Sequence, residues 1–340
     1  MTTNNTTPAD DGRTPSTTTT TSGVPTASGA PISAATATLA RSGDASALPA
    51  REPLRALPHA ASRRRRRRWI SVLKHVLLIA ASVIMIYPLL WLVSSSFKPN
   101  DEIFRNLSLI PETVTFENYV NGWNDLQFPF SQFLFNSLLL SLGAIVGNLI
   151  SCSLAAYAFA RLRFVGRNIY FAIMLMTIML PFQVVLVPQF TIFRELGWVN
   201  TFLPLLVPKL LATDAFFIFL MVQFIRALPK EIFEAAKIDG AGQLRSYAQI
   251  TLPLMVPALA TATIFTFIWT WGDFFAPLIY LRVPEMFPVS VALKGFIDAQ
   301  SSSDFGSMFA MSVVSLVPLF IIFLVGQRYL IKGFATTGIK

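Results

Sequence analysis

Charge is what this chain has least of. Only 13% of its 340 residues are Asp, Glu, Lys or Arg, about half the share of a soluble domain. Hydrophobic residues make up 54%, and the mean hydropathy is +0.58. That balance excludes an ordinary soluble domain and reads as a membrane protein. The single cysteine, Cys152, excludes a disulfide framework. It lies inside an apolar run and is read as a small packing hydrophobe. The two histidines, His59 and His75, have no Cys or carboxylate partner at ligand spacing. Neither a metal site nor His-based catalysis is assigned. No G-x-x-x-x-G-K-[ST] phosphate loop is present, and no nucleophile–base pair suggests an intramembrane enzyme. The chain is therefore expected to bind no cofactor and to catalyse nothing by itself.

What is present begins with a net charge of +9. In a soluble chain this would suggest nucleic acid, but six of those charges form the run Arg63 to Arg68 directly before an apolar span. The positive-inside rule explains that placement without a nucleic-acid partner. Residues 1–62 are rich in Thr, Ser, Ala and Pro. Such a segment cannot bury enough apolar surface to offset its ordering entropy, so a disordered cytoplasmic tail is expected.

Six long apolar runs follow: 76–97, 133–160, 169 to about 187, 201–225, 254–279 and 305–326. At about 1.5 Å per residue each can cross a hydrocarbon core of about 30 Å. The expected fold is an all-α polytopic membrane protein of six transmembrane helices in the cell membrane, surrounded by lipid. Prolines within the runs (Pro88, Pro181, Pro208, Pro257, Pro277, Pro318) suggest kinks. The fourth run is interrupted by Lys209 and Asp214, read as the place where that helix emerges at the outer surface. Gly143 and Gly147 permit close helix packing, and Met174, Met176 and Met179 are read as core.

A cytoplasmic N-terminus puts most Lys and Arg on one side. Arg161, Arg163 and Arg167, then Arg226, Lys230, Lys237 and Arg245, then Arg328, Lys332 and Lys340 join the Arg63 run inside. Only Lys98, Arg105, Arg194, Arg282 and Lys294 fall in the outer connections. Both termini and the loop 226–253 are thus expected in the cytoplasm. The outer connections are too short to form a receptor domain. The expected division is a tail at 1–62, a basic flank with the first span and outer loop at 63–131, a transmembrane core at 132–328, and a cytoplasmic tail at 329–340.

Loop 226–253 is a polar, glycine-bearing island in an oily chain. Glu231 and Glu234 suit the first turns of a helix starting at Pro229. Ile232, Phe233 and Ala236 make a narrow apolar stripe, and Asp239-Gly240-Ala241-Gly242 can end the helix through positive φ. A second short helix from Gln243 would put Leu244, Tyr247 and Ala248 on one face. The product is a helix-turn-helix hairpin whose Ala235 and Ala236 would let a partner's backbone approach closely.

The pattern E-A-A-x3-G-x9-I-x-L-P is met by Glu234, Ala235, Ala236, Gly240, Ile250, Leu252 and Pro253. It resembles the coupling loop of permease subunits of binding-protein-dependent ABC importers, in the carbohydrate-uptake class related to maltose and multiple-sugar permeases. Asn136-Ser137-Leu138, the run Ala155 to Arg161, Gln327-Arg328-Tyr329 and Lys332-Gly333 extend the likeness over about residues 70–340. The resemblance implies a type I ABC importer permease fold. It implies that Glu234, Ala235, Ala236, Asp239 and Gly240 dock on separate ABC ATPase subunits, which would use the ATP. It also implies a second, non-identical permease, an extracytoplasmic sugar-binding protein, and a mono- or oligosaccharide as cargo. The long N-terminal tail departs from many relatives and leaves its own role open.

Charges inside spans are costly and usually face a cavity or a partner. Asp273, beside Trp269 and Trp271, is a candidate for the translocation path, since aromatic faces next to a carboxylate suit a sugar. Pairing of Asp273 with a Lys or Arg across a subunit interface is the other reading. A functional alternative is a self-sufficient secondary transporter or channel for a small polar solute. That would predict an internal repeat, and none is visible between 72–190 and 201–326.

Overall fold

The computed structural model describes residues 59–297 and 303–335. Residues Met1–Arg64 separate as a unit from Arg65–Lys340, and the second unit is the one described below. The tail expected to be disordered lies outside the described residues as far as residue 58. Its last positions enter a helix, His59–Ser95, that also carries the arginine run. Every element among the described residues is helical, as hydrocarbon demands of a backbone that must satisfy its own polar groups.

Four helices are long and apolar enough to cross a membrane: Trp69–Ser95, Phe130–Arg161, Leu203–Ala227 and Phe305–Arg328. Two further helix pairs are long and apolar enough together but are sharply bent, and they bring the count to six where each pair is one span. The third expected span breaks at Pro181, where Arg167–Thr177 and Phe182–Glu195 meet at 101°. Proline lacks the N–H that would continue the ladder and disfavours helical backbone at the residue before it. The fifth is bent too, with Gln243–Leu254 turning by 74° into Val256–Trp271. It ends at Gly272, and a separate short helix, Phe275–Tyr280, follows.

The second span, Phe130–Arg161, is the spine. Its buried face runs through Phe133, Ser137, Ser141, Ala144, Asn148, Cys152 and Ala156, a stripe at helical spacing made mostly of small residues. Small residues let neighbouring backbones come close. A Cβ on Gly147 would stand 3.2 Å from the backbone of Lys209 and Leu210, and one on Gly143 would meet Leu206 at 2.8 Å. Cys152 packs as a hydrophobe with Phe217, Met221 and Met255. Met176 and Met179, by contrast, are exposed. The core assignment for them does not hold within this chain.

Polar side chains tie the ends of the bundle. The Asn136 amide donates to the carbonyls of Glu285 (2.8 Å) and Phe287 (3.0 Å), and the Val289 N–H donates to Ser137 Oγ. Asn136-Ser137 therefore pins the loop before the sixth span. The first span is exposed along most of its length and is anchored near its end. There the Asn118 amide donates to the carbonyls of Ser96 and Lys98, and Trp91 meets Phe309 edge-on at 5.4 Å. In the loop that follows, Lys98 Nζ donates to the Asn106 and Ser108 carbonyls. The Glu102 carboxylate accepts from the Glu112 N–H at 2.7 Å and the Thr113 N–H at 3.2 Å.

Candidate functional site

The polar island folds as a hairpin standing off one end of the bundle. Pro229 sits one position ahead of the helix Lys230–Ile238, with extended backbone, rather than in its first turn. The helix ends on Gly240, whose φ is +76°. The Gly240 N–H reaches the Lys237 carbonyl and the Ala241 N–H reaches the Ala236 carbonyl, which is the Schellman pattern that a left-handed glycine allows. Gly242 keeps ordinary extended backbone, so only one of the two glycines supplies the turn. Helix Gln243–Ser246 then widens into a π turn, Tyr247–Thr251.

Glu234, Ala235, Asp239 and Gly240 are exposed. Ala236 is 7% exposed and turned toward the bundle. Close approach by another chain is therefore open at Ala235 and not at Ala236. Two apolar side chains project from the tip, Ile238 at 87% exposed and Leu244 at 80% exposed, and of these periodicity had not singled out Ile238. For Leu244 this replaces the expected shared face, since Tyr247 beside it is half-buried. Ile238 could have been noticed, because it lies off the Ile232–Phe233–Ala236 stripe.

The hairpin is held by the last turns of the second span. Ser153, Tyr157 and Arg161 recur every four residues, so they form one stripe on that helix. Ser153 Oγ and Tyr247 Oη are 2.7 Å apart, and Tyr157 Oη donates to Gln243 Oε1 at 3.0 Å. Arg161 Nη2 donates to the carbonyls of Ile225 (2.8 Å) and Leu228 (3.1 Å). Both carbonyls lie where the helix Ala215–Ala227 ends, and Ile225 there accepts the Leu228 N–H as well. The same guanidinium lies 3.7 Å from the centre of the Phe233 ring. One side chain thus joins the second span, the fourth span and the hairpin. Sequence reasoning had used Arg161 only as a topology charge and a motif end.

The charges of the fourth expected span flank a break in its helix. Between Leu203–Leu210 and Ala215–Ala227 the backbone leaves the helix, with Ala212 at φ +55°. Lys209 Nζ bridges the break to Asp214 at 2.8 Å. Asn148, near the middle of the second span, donates to Asp214 Oδ2 at 2.6 Å and to Thr266 Oγ1 at 3.2 Å. Two adjoining cavities of about 630 and 560 Å³ share Phe182, Leu205, Lys209 and Asp273 in their walls. The Asp273 carboxylate accepts from the Ala276 N–H, and its carbonyl accepts from Ser290 Oγ. Trp269 lines the first cavity, among Phe216, Phe217 and Phe265. Trp271 does not line either. It is buried, stacked on Phe267, and its Nε1 donates to the Ser315 carbonyl. Of the three path candidates the structure brings together Trp269 and Asp273, and turns Trp271 into the core.

Residues 147–335 match the family model of binding-protein-dependent transport system inner membrane components. The diacetylchitobiose uptake system permease protein NgcG of Streptomyces coelicolor is 32% identical, over 77% of this chain and 86% of that protein. The arabinooligosaccharides transport system permease protein AraQ of Halalkalibacterium halodurans is 34% identical, over 76% of this chain and 92% of its own length. Among solved structures, a chain of a bacterial ABC transporter involved in alginate import superposes with a TM-score of 0.69 at 26% identity. That match covers 77% of this chain and 96% of the other.

Proposed function

The chain belongs to the family of binding-protein-dependent transport system inner membrane components, and from that premise we propose that the solute it carries is a saccharide. It is a permease subunit of an ABC importer in the cytoplasmic membrane and not itself an ATPase. A self-sufficient secondary transporter is thereby set aside. The saccharide reading draws on the relatives named for diacetylchitobiose and arabinooligosaccharides. It also draws on a cavity whose walls include both Trp269 and Asp273. An indole face stacks on the C–H face of a sugar ring, and a carboxylate accepts two hydroxyl hydrogen bonds.

In the same reading the hairpin faces the cytoplasm and docks an ATPase partner through Glu234, Ala235, Asp239 and Gly240. The exposed Ile238 and Leu244 join them and Ala236 supports them from behind. The observation that carries this is the stripe Ser153–Tyr157–Arg161. It fastens the hairpin to the helix that also carries Asn148, about 20 Å along the axis from Arg161, against the cavity wall. A rigid helix clasped at one end and hydrogen-bonded near its middle transmits a push on the hairpin to the charges lining the cavity. ATP-driven closure of the partner would then rock this subunit and a second permease between outward-open and inward-open states. Sugar would be handed over by an extracytoplasmic binding protein.

Co-purification tests the docking. Glu234→Lys and Gly240→Pro are expected to abolish recovery of the ATPase subunit with the chain while membrane insertion persists. Unchanged recovery and uptake would remove the docking role from these residues.

A further inference from the structure

A cavity of about 560 Å³ is bounded by the broken third and fourth spans and the short helix after Gly272. Its walls include Lys209, Asp214, Asp273, Thr213, Gln189 and Tyr280. Three features set it apart from a packing gap. First, it gathers three charged side chains in or beside the expected spans, where each is expensive unless it serves a cavity or a partner. Second, Lys209 is already committed to Asp214 at 2.8 Å, and Asn148 donates to the same carboxylate. Asp273 then adds a second negative charge to the wall. Third, Tyr280 is 2% exposed, and its hydroxyl is buried with no hydrogen-bond partner among the described residues. A buried hydroxyl without a partner loses free energy unless something supplies one.

We propose that this cavity is a saccharide station that accepts neutral or amino sugars and rejects uronates and sugar phosphates. The inference rests on the saccharide reading above and narrows it to a charge class. The wall carries one cation against two carboxylates, so an incoming anion meets a net negative surface in a low-dielectric setting, and like charges there repel strongly. Hydroxyls and ammonium groups are donors, and they find acceptors in Asp273 and Asp214. The Tyr280 hydroxyl is the complementary donor for a ring or hydroxyl oxygen. Asp273 and Tyr280 are binding residues here. Lys209 and Asn148 are positioning residues, which hold Asp214 across the Ala212 break.

The test uses the intact importer, with its partner permease, ATPase and binding protein, in proteoliposomes. Uptake is measured for radiolabelled maltose, cellobiose, the glucosamine dimer, digalacturonate and glucose 6-phosphate. Uptake confined to the neutral or amino sugars is expected. Tyr280→Phe should raise KM for the imported sugar about threefold to tenfold, the loss of one hydrogen bond, and Asp273→Asn about tenfold. Co-purification of the four components serves as the assembly control for both variants. Tyr280 has no partner to lose within the chain, so a purely structural role predicts an unchanged KM in Tyr280→Phe. That result would overturn the station. Uptake of digalacturonate or glucose 6-phosphate at a comparable rate would overturn the charge class and leave the saccharide reading standing. An assembled, ATP-hydrolysing importer that takes up none of the five, and neither diacetylchitobiose nor an arabinooligosaccharide, would instead overturn the saccharide reading itself.

Discussion

The Arg161 guanidinium lies 3.7 Å from the centre of the Phe233 ring while donating to the Ile225 and Leu228 carbonyls. The contact makes a short exposed helix move with two spans. A nine-residue helix such as Lys230–Ile238 is too short to hold itself in water, so its order comes from contacts of this kind.

Arg161→Ala is expected to free the hairpin while leaving its exposed face chemically intact. Two charge-assisted hydrogen bonds and a stacked cation are together worth about 2 kcal/mol or more. Protection of residues 230–246 from hydrogen exchange should therefore fall by about tenfold or more. Arg161→Lys should rescue little, because one ammonium cannot donate to two carbonyls and stack flat on a ring at once. Full protection in the lysine variant would show that charge alone suffices.

Gly240 and Gly242 offer a matched pair. Neither has an atom within 4 Å of where a Cβ would stand, so packing does not distinguish them. Only Gly240 has positive φ. Gly240→Ala should destabilise the hairpin by about 1 kcal/mol through backbone strain, and Gly242→Ala should be neutral or slightly stabilising. Limited proteolysis of the hairpin reads both, and equal sensitivity in the two variants would contradict the Schellman assignment.

Much of this architecture was legible because hydrophobic length is a strong signal: four of the six apolar runs fall in helices long enough to span, and the other two fall in bent pairs. What hydropathy could not carry is where a span breaks. Pro181 was read as a kink and is a bend of 101°. The break at Ala212 has no glycine or proline at the residue of positive φ to mark it. The ion pair across that break was read as a surface exit, because spacing in sequence does not reveal that Asn148 stands opposite. Trp269 and Trp271 were grouped as one aromatic face. Residues two apart on a helix point about 200° apart, so one lines the cavity and the other fills the core. The hairpin was recovered in outline through Gly240. Ala236 was placed on its outer side because a stripe shows which residues share a face and not which way it turns.

The backbone contact at Gly147 sets a different expectation. A side chain there meets the Lys209 and Leu210 backbone at 3.2 Å, which cannot rotate aside. Gly147→Val should cost about 1–3 kcal/mol by overpacking and should push the Lys209–Asp214 break away from Asn148. At Gly143 the obstacle is the Leu206 side chain, which can change rotamer, so Gly143→Ala should cost less. Thermal unfolding in detergent, with both variants beside the parent chain, checks the order. A larger loss at Gly143 would refute it.

The loop after the first span carries the clearest pH dependence. The Glu112 N–H is the strongest influence holding the Glu102 carboxyl below its ordinary value near 4.5, with the Thr113 N–H, the Asn106 amide and Lys98 helping against the opposing effect of burial. All four favour the ionised form. The folded pKa is therefore below the unfolded one, and the group contributes stability that is complete above about pH 4.5. That stability is lost as the pH falls through the lower folded value. Glu102→Gln removes the titration and weakens the acceptor. Melting temperatures of the parent and Glu102→Gln chains should therefore differ most near neutral pH and converge as the pH drops below 4. A gap that stays constant across that range would mean the carboxylate's charge contributes nothing to holding residues 102–113 together.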